Sequence, residues 1–202
     1  YQDKIQTIVS EPDNGIYNAM NKGLAKATGD FVIYCNSGDG FASTDVLERI
    51  ANEMMRAEVL PDLAYGTYAR VVNGVQGAPI GNRNPKKIWY GMVASHQSTF
   101  YGVEFLKSNN LRYDESYKIA ADYKLTLESI IKAKNILKSD VCVSCFDTTG
   151  VSCQNEDLGM WEADRARKEA GYNIVSRYCI IGLQKLSHFT RDNLSWIYSK
   201  LR

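Results

Sequence analysis

The residues best suited to chemistry stand in two neighbouring blocks early in the chain. Ser10 to Gly23 reads S-E-P-D-N-G-I-Y-N-A-M-N-K-G, and Ala27 to Asp39 reads A-T-G-D-F-V-I-Y-C-N-S-G-D. Asp39 follows an apolar run and sits among the small residues Ser37, Gly38 and Gly40. A carboxylate in such a loop can reach a hard divalent cation and a phosphate beside it. It can equally be a loop acid that caps nearby backbone. Asp13 precedes Asn14-Gly15 where a helical pattern starts. It stands either beside a helix N-terminus that faces an anion or as the cap of that helix. Glu11 and Asn21 are the polar residues on either side of it. Farther along, His96-Gln97 leads into an apolar run, and Asp122 opens a second helical pattern. There the backbone dipole favours an ionised carboxylate, and simple helix capping is the alternative reading of Asp122.

These residues need elements to hold them. Ile5 to Val9 predicts a short strand. Apolar residues at Ile16, Ala19, Met20, Leu24 and Ala27 predict a helix over Gly15 to Thr28, ended by Gly29. Phe31 to Cys35 is a continuous apolar run, as a buried strand is. A helix from Thr44 to about Glu58 follows, with Asp45 and Glu48 in its first turn. Leu63 to Val72 is strand-like, and Asn73-Gly74 signals a hairpin. Ser98 to Tyr101 predicts a strand, Val103 to Asn109 a short helix, Ala121 to Lys134 a longer helix and Ile136 to Phe146 a strand. Helices are expected over Leu158 to Ala170 and most of Ile174 to Arg202. Alternating strands and helices predict an α/β fold, with ligands bound outside the carboxyl ends of the strands.

The motif S-E-P-D-x-G-I-Y-x-A-M-N-K-G, then A-T-G-D and N-S-x-D, resembles the nucleotide-sugar half of bacterial family 2 glycosyltransferases. H-Q-S-T-F from His96 to Phe100 and L-R-Y-D-E-S-Y-K-I-A-A-D-Y-K-L from Leu111 to Leu125 resemble the acceptor half, in the same order. The resemblance covers roughly residues 5 to 155. It implies a GT-A-like (Rossmann-like) mixed, mainly parallel sheet flanked by helices, with a C-terminal helical extension. Against the family pattern the chain opens at the run-up to the third strand. A core over residues 1–155 is therefore expected to lack the first strand-helix-strand and its base-binding carboxylate, with C-terminal helices over 156–202.

The same resemblance implies a metal-dependent, inverting transfer of a sugar from a nucleoside diphosphate sugar to a polysaccharide or lipid-linked oligosaccharide. It places Glu11, Asp13, Asn21 and Gly38 at the donor, and Asp39 on a divalent metal, Mn2+ or Mg2+. His96 and Gln97 would line the pocket between donor and acceptor, although a lone histidine is also commonly a hydrogen-bonded structural residue. Asp122 would be the general base that takes the acceptor proton. The family more often carries an acid where this chain has Gly38, and Asp where it has Asn18. Trp89, Tyr90, Tyr101 and Trp161 suit either sugar stacking or a core, and none is assigned. A second reading is a non-catalytic GT-A module that binds a sugar nucleotide or a partner protein.

Composition narrows the classes. The chain has 202 residues, 45% hydrophobic and 23% charged, with a net charge of +1. That balance suits one soluble domain or a domain with a tail and argues against nucleic acid as a partner. No apolar run approaches the ~20 residues of a membrane helix. Cys35, Cys142, Cys145, Cys153 and Cys179 are odd in number. Cys142-x-x-Cys145 lacks the second ligand pair of a zinc site, so reduced core cysteines and a cytoplasmic setting are expected. From Tyr172 to Arg202 basic residues interleave with Val175, Tyr178, Ile181, Leu186 and Phe189. Such a helix either packs on the domain or a partner, or lies peripherally on the inner face of a membrane.

Overall fold

The computed structural model describes residues 5–72, 74–147 and 155–200, with side chains other than 146, 147, 156, 188 and 191–200. The elements run α1 (Ile16–Lys26), β1 (Phe31–Val32), β2 (Gly40–Phe41), α2 (Val46–Arg56), β3 (Leu63–Val72), β4 (Val75–Gln76), β5 (Thr99–Gly102), α3 (Val103–Ser108), α4 (Ala121–Lys132), β6 (Ile136–Asp147), α5 (Glu156–Glu169) and α6 (Ile174–Lys200). Short 3-10 turns cover Pro85–Lys87 and His96–Ser98.

Six strands form one sheet in the order β1-β5-β3-β6-β2, with β4 paired to β3. The side-chain period of two in a strand divides β3 between two cores. Leu63 and Tyr65 point into one and Ala64 into the other. The second core is closed by α2, whose Val46, Ile50 and Met54 repeat every four residues and meet Phe100, Val141 and Val143. The first core is closed by α1, α3 and α4, through Leu24, Leu106, Tyr123, Leu125 and Leu127. A sheet buried on both faces needs near-continuous apolar strands, and Leu63 to Tyr68 meets that demand.

The sheet is mixed, but among the described strands only β3 with β6 is parallel; β5 on β1, β5 on β3, β2 on β6 and β4 on β3 are antiparallel. Its parallel share is therefore smaller than the sequence predicts. The reason is β5, which runs back between the co-directional β1 and β3. β3 and β4 are paired as the expected hairpin requires, with Val72 opposite Val75 and Gly74 at φ 76°; Asn73 lies outside the described residues. Ile5 to Val9, expected as a strand, carries no strand pairing. No described strand lies beside it, and Ile5, Ile8 and Val9 are exposed. The strand expected over Phe31 to Cys35 pairs only at Phe31 and Val32, because it is an edge strand and the chain turns away after Val32. Nor does Gly29 end α1. The helix stops at Lys26, and Ala27 takes an extended conformation with its N–H on the Leu24 carbonyl.

The cysteines are not core residues: Cys35 and Cys179 are exposed, and Cys142 and Cys145 are half-buried, all four as free thiols. Cys153 lies outside the described residues. No described helix is long and apolar enough to cross a membrane.

At the centre of the sheet the β3–β6 register shifts on either side of Thr67, and Gly66 lies beside the shift. A Cβ on Gly66 would stand 2.4 Å from the Val141 carbonyl oxygen and 2.7 Å from Val143 Cγ2. Backbone cannot yield as a flexible side chain can. Gly66→Ala is expected to cost about 1–3 kcal/mol, lowering the melting temperature by roughly 2–12 °C for a domain of this size. Gly23 in α1 has nothing within 4 Å of its missing Cβ. Gly23→Ala is therefore expected to stabilise by up to about 1 kcal/mol. Thermal denaturation of both variants checks the contrast.

Candidate active site

The sheet brings the second half of the site to the first through one turn. Ser98 is buried at the end of the His96–Ser98 turn. Its Oγ donates to the Thr67 carbonyl at 3.2 Å and pairs with Ser144 Oγ at 2.7 Å. Thr99 Oγ1 donates to the Ser95 carbonyl at 2.9 Å. The turn is thus bonded to β3 and β6 and cannot drift. Because β5 is antiparallel to β1, this turn lies at the sheet edge to which the chain climbs after Val32.

At that edge the loop Asn36 to Asp39 closes with the Asp39 N–H on the Asn36 carbonyl at 3.1 Å. Gly38 adopts φ 92° within it. Positive φ at the third position of a four-residue turn is the reason for glycine there. The loop and the turn hold each other. Gln97 Nε2 donates to Asp39 Oδ2 at 2.7 Å, and Gln97 Oε1 accepts from Ser95 Oγ. Asn36 Nδ2 lies 3.3 Å from His96 Nε2. An amide nitrogen only donates, so in this pairing Nε2 accepts, and Nδ1 is the other ring nitrogen. That Nδ1 is buried and has no hydrogen-bond partner among the described residues.

Asp122 lies in the first turn of α4 and shares a cavity of about 220 Å³ with His96, Ser95, Tyr68 and Arg83. Ala120, not Asp122, is the cap residue of α4, although Asp122 Oδ1 accepts from the Tyr123 N–H at 2.7 Å. Desolvation in the cavity holds the Asp122 carboxyl above its ordinary value. His96 and the helix N–H groups pull it back, and the nearby Glu162 adds to the rise. Burial and the Asp39 charge likewise raise the Cys35 thiol.

The other expected site residues are placed differently. Glu11 pairs with Lys22 Nζ at 2.8 Å on the surface, and Lys22 also donates to the Pro12 carbonyl. Asp13 Oδ1 accepts from the Gly15 N–H at 2.9 Å in the loop before α1, but the cap position of the helix is Gly15, which no side chain caps, so Asp13 is not the helix cap. Asn21 is spent on a bracket. Its Nδ2 donates to the Tyr113 carbonyl and to Glu115, and its Oδ1 accepts from the Tyr113 N–H at 2.9 Å. The structure thus joins Asp39 to Gln97, and His96 to Asn36 and the Asp122 cavity. Among the described residues no hydrogen bond or ion pair links Glu11, Asp13 or Asn21 to that group.

Asn36, Ser95 and Arg83 belong to the site without having been singled out in the sequence. Asn36 stood inside N-S-G-D, so its signal was present. Arg83, whose guanidinium lies 5.5 Å from the Tyr90 ring centre, comes from a loop with no pattern that marks it. Tyr101 is buried in the core and Trp161 is 73% exposed, so neither faces this cavity. A larger cavity of about 840 Å³ lies at the opposite sheet edge, between Ala27–Phe31, Leu60–Asp62 and α3. It contains none of the expected site residues.

No group of three or more His, Cys, Asp or Glu side chains among the described residues is arranged to hold an ion. Asp39 fits a smaller role. Its Oδ2 is taken by Gln97, and its Oδ1 has no protein partner among the described residues. Mg2+ and Mn2+ accept one or two carboxylates with water and substrate phosphate as the rest of the shell.

The raised Asp122 value has a sign that can be measured. A carboxyl whose folded value lies above its unfolded one, about 3.9, contributes fully below that pH. The contribution is lost as pH rises through the folded value. Asp122→Asn removes the buried charge and keeps the shape. Its melting temperature is expected to match wild type near pH 4 and to exceed it at pH 7.5. A gap that stays constant between these pH values would show that burial of the Asp122 charge costs the fold nothing.

Comparison with known proteins places this arrangement. Residues 1–91 match Glycosyl transferase family 2. An uncharacterized glycosyltransferase of Mycobacterium tuberculosis is 33% identical over 150 residues, 73% of this chain and 56% of that protein. A PGL/p-HBAD biosynthesis glycosyltransferase of Mycobacterium bovis is 27% identical over 118 residues, 58% of this chain and 44% of that protein. The chain spans about half the length of the curated relatives it matches. S. aureus TarS 1-349 superposes with a TM-score of 0.55 at 20% identity, over 83% of this chain and 49% of that one. Its complex with UDP-GlcNAc gives 0.55 at 21% identity, over 84% and 52%. The likeness to TarS is one of fold, a mixed sheet flanked by helices in the GT-A-like α/β class. The motifs in order, the family match over residues 1–91 and the curated relatives together support membership of glycosyl transferase family 2.

Proposed function

We propose that this chain forms the reacting part of an inverting glycosyltransferase that moves a sugar from a nucleoside diphosphate sugar to a saccharide or lipid-linked acceptor of the cell envelope. The observation that carries the reading is the Asp122 carboxylate. It is desolvated beside His96 in a cavity tied through Gln97 to the Asp39 loop. A base with a value moved toward working pH is what proton removal from an acceptor hydroxyl needs. The family match and the UDP-GlcNAc complex of the TarS neighbour support the donor class.

In this mechanism the acceptor enters the Asp122 cavity. Its hydroxyl gives its proton to Asp122 as it attacks the anomeric carbon, and the nucleoside diphosphate leaves. The His96 Nδ1, without a partner among the described residues, donates its N–H to an oxygen of the bound sugar. Asp39 would hold a divalent metal through its free oxygen. When bound, that ion neutralises charge on the departing diphosphate. Gln97 fixes the Asp39 rotamer, and Gly38 lets the loop turn without a side chain in the way. Glu11 and Asp13, on the loop before α1, complete the donor side. Asn21 acts there through its bracket on Tyr113. The core over 1–155 carries the chemistry and the helices over 156–202 support it.

The alternative is a module that binds a sugar nucleotide without turning it over. Asp122→Asn separates the two. Asparagine keeps the shape but cannot take the proton, so donor binding persists while transfer falls about 10²–10⁴-fold. Asp39→Asn is expected to weaken UDP binding in the presence of Mn2+ and to leave binding without metal unchanged. Sugar transfer from a panel of nucleoside diphosphate sugars, with calorimetry of UDP, reads both. Unchanged transfer in Asp122→Asn would remove it as the base.

A peripheral membrane role for α6 rests on one observation. Ile174, Val175, Tyr178, Leu183 and Leu186 are exposed along the helix. Ile180 is buried, and Arg177 is held by Asp164. An apolar stripe with Lys185 beside it suits an anionic bilayer surface on the cytoplasmic side. The protein is expected to float with phosphatidylglycerol-containing vesicles, less with neutral ones, and Leu186→Glu is expected to weaken that binding. Equal recovery with both vesicle types would exclude the charged surface as the attraction.

A further inference from the structure

The loop that delivers Asp122, residues 114–120, has no regular structure and no regular ladder to fix it. It is held from two sides. From α5, the buried carboxylate of Glu162 accepts three successive backbone N–H groups. Oε1 takes that of Lys118, and Oε2 takes those of Ile119 and Ala120, each at 2.8 Å. From α1, Tyr17 Oη donates to the Ile119 carbonyl at 2.7 Å. The bonded residues end two positions before Asp122.

The rest of α5 repeats the grip at helical spacing. Arg165 donates to Ser116 Oγ at 2.9 Å and lies 4.4 Å from the Tyr117 ring centre. Glu169 accepts from Tyr117 Oη at 3.0 Å and pairs with Lys124, which also pairs with Asp114 at 2.7 Å. Positions 162, 165 and 169 lie on one face of the helix. The opposite side of α5 buries Arg167 fully, with Nε bonded to the Trp89 carbonyl at 2.7 Å and to Tyr123 Oη at 3.0 Å. The helix is therefore fixed to the core while one of its faces holds the loop.

We propose that Glu162, from outside the motifs of both halves, is the positioning residue of the base: its carboxylate sets the backbone that aims Asp122 into the His96 cavity. A carboxylate with two acceptor oxygens and no proton suits a cluster of N–H groups, and no neutral side chain of that length does. Glutamine would put its own NH2 against one of the donors. The inference rests on the reading of Asp122 as base, but its structural part does not.

Glu162 also acts on Asp122 through its charge. The groups that interact electrostatically with Asp122 are His96 from the turn before β5, Glu162 from α5, and Tyr17, Tyr101 and Tyr113 from α1, β5 and the preceding loop. Arg83 and Tyr68 stand on the cavity wall. Glu162 is the one carboxylate in this set besides Asp122 itself. Its removal leaves the ionised base less opposed, so Asp122 titrates at lower pH.

The test compares wild type, Glu162→Gln, Glu162→Asp and Arg165→Ala. Carboxyl NMR of Asp122 and hydrogen exchange at Lys118, Ile119 and Ala120 are read alongside transfer. In Glu162→Gln the Asp122 titration and the acid limb of the transfer rate are expected to move to lower pH. The three amides lose protection, and kcat falls about ten- to a hundredfold, as a misplaced catalytic group costs, with donor KM nearly unchanged. Glu162→Asp keeps the charge and restores the titration while regaining part of kcat. Arg165→Ala lowers the melting temperature without moving the titration. If Glu162→Gln does not fold, Glu162→Asp decides alone. Unchanged amide protection in that shortened variant would overturn the positioning role. An Asp122 titration and kcat in Glu162→Gln equal to wild type would overturn it as well. Loss of the amide protection with no transfer by wild type from any donor would keep the positioning and sink the glycosyltransferase reading instead.

Discussion

The parallel pairing of β3 with β6 is the constraint on which the remaining geometry depends. The two strands run side by side from Leu63 opposite Ile136 to Val71 opposite Asp147, under helices on both faces. Buried on both sides, they tolerate neither a slip nor a stray side chain, as the 2.4 Å approach at Gly66 makes plain. A one-residue slip would exchange the two cores, since alternate side chains feed opposite faces. The register therefore fixes where Thr67 and Ser144 present their oxygens. Ser98 bonds to both, and that bond sets the height of the His96–Ser98 turn. From there the chain of dependence runs through Gln97 to Asp39 and through His96 to Asn36. A buried hydroxyl pair at the centre of a sheet is thus the link between apolar packing and the polar edge.

The polar edge is kept reactive by partial satisfaction. Most buried polar groups in a folded protein find partners, and here Gln97, Ser98 and Thr99 do. Among the described residues His96 Nδ1 does not, and Asp122 gives up solvation that its own helix N–H groups only partly replace. Both deficits fall at the cavity rather than in the cores. A site that was fully satisfied by protein would have nothing to offer an incoming hydroxyl. The stability lost there is offset by the apolar layers on either side of β3 and β6, where Leu63, Ile50, Leu106, Leu125 and Val143 are essentially inaccessible.

What the sequence made legible is what local pattern controls. The bounds of β3 were read to the residue because ten largely apolar residues end at an Asn-Gly hairpin. The helix α2 and the order of the last three helices were equally plain. The strand at Ile5 to Val9 was not, because a strand is made by its neighbour and no pattern in five residues says whether one is there. The shortness of β1 and the small parallel share have the same origin, since β5 enters between β1 and β3 from far along the chain. At the site, Asp39, Gln97, His96 and Asp122 were legible as types in motifs. Arg83 and Glu162 were not, because their roles depend on packing between segments tens of residues apart.

Asn21 shows why motif membership and contact with a ligand are separate properties. It stands in the same block as Asp13, on the polar side of an amphipathic helix, and looks available. Its amide instead reads the backbone of Tyr113 in both directions and reaches Glu115, while Asn18 reaches the same carboxylate at 3.0 Å. Tyr17, on the same helix, stacks on Tyr113 with ring centres 5.3 Å apart and bonds the Ile119 carbonyl. Three residues of α1 thus grip the segment that leads to Asp122 from one side, as α5 does from the other. A helix of the first block and a helix beyond the second both end on the same seven residues, 114–120. Any shift of α1 relative to the sheet is then transmitted to the backbone that carries the Asp122 carboxylate, because that backbone has no regular ladder of its own to absorb it.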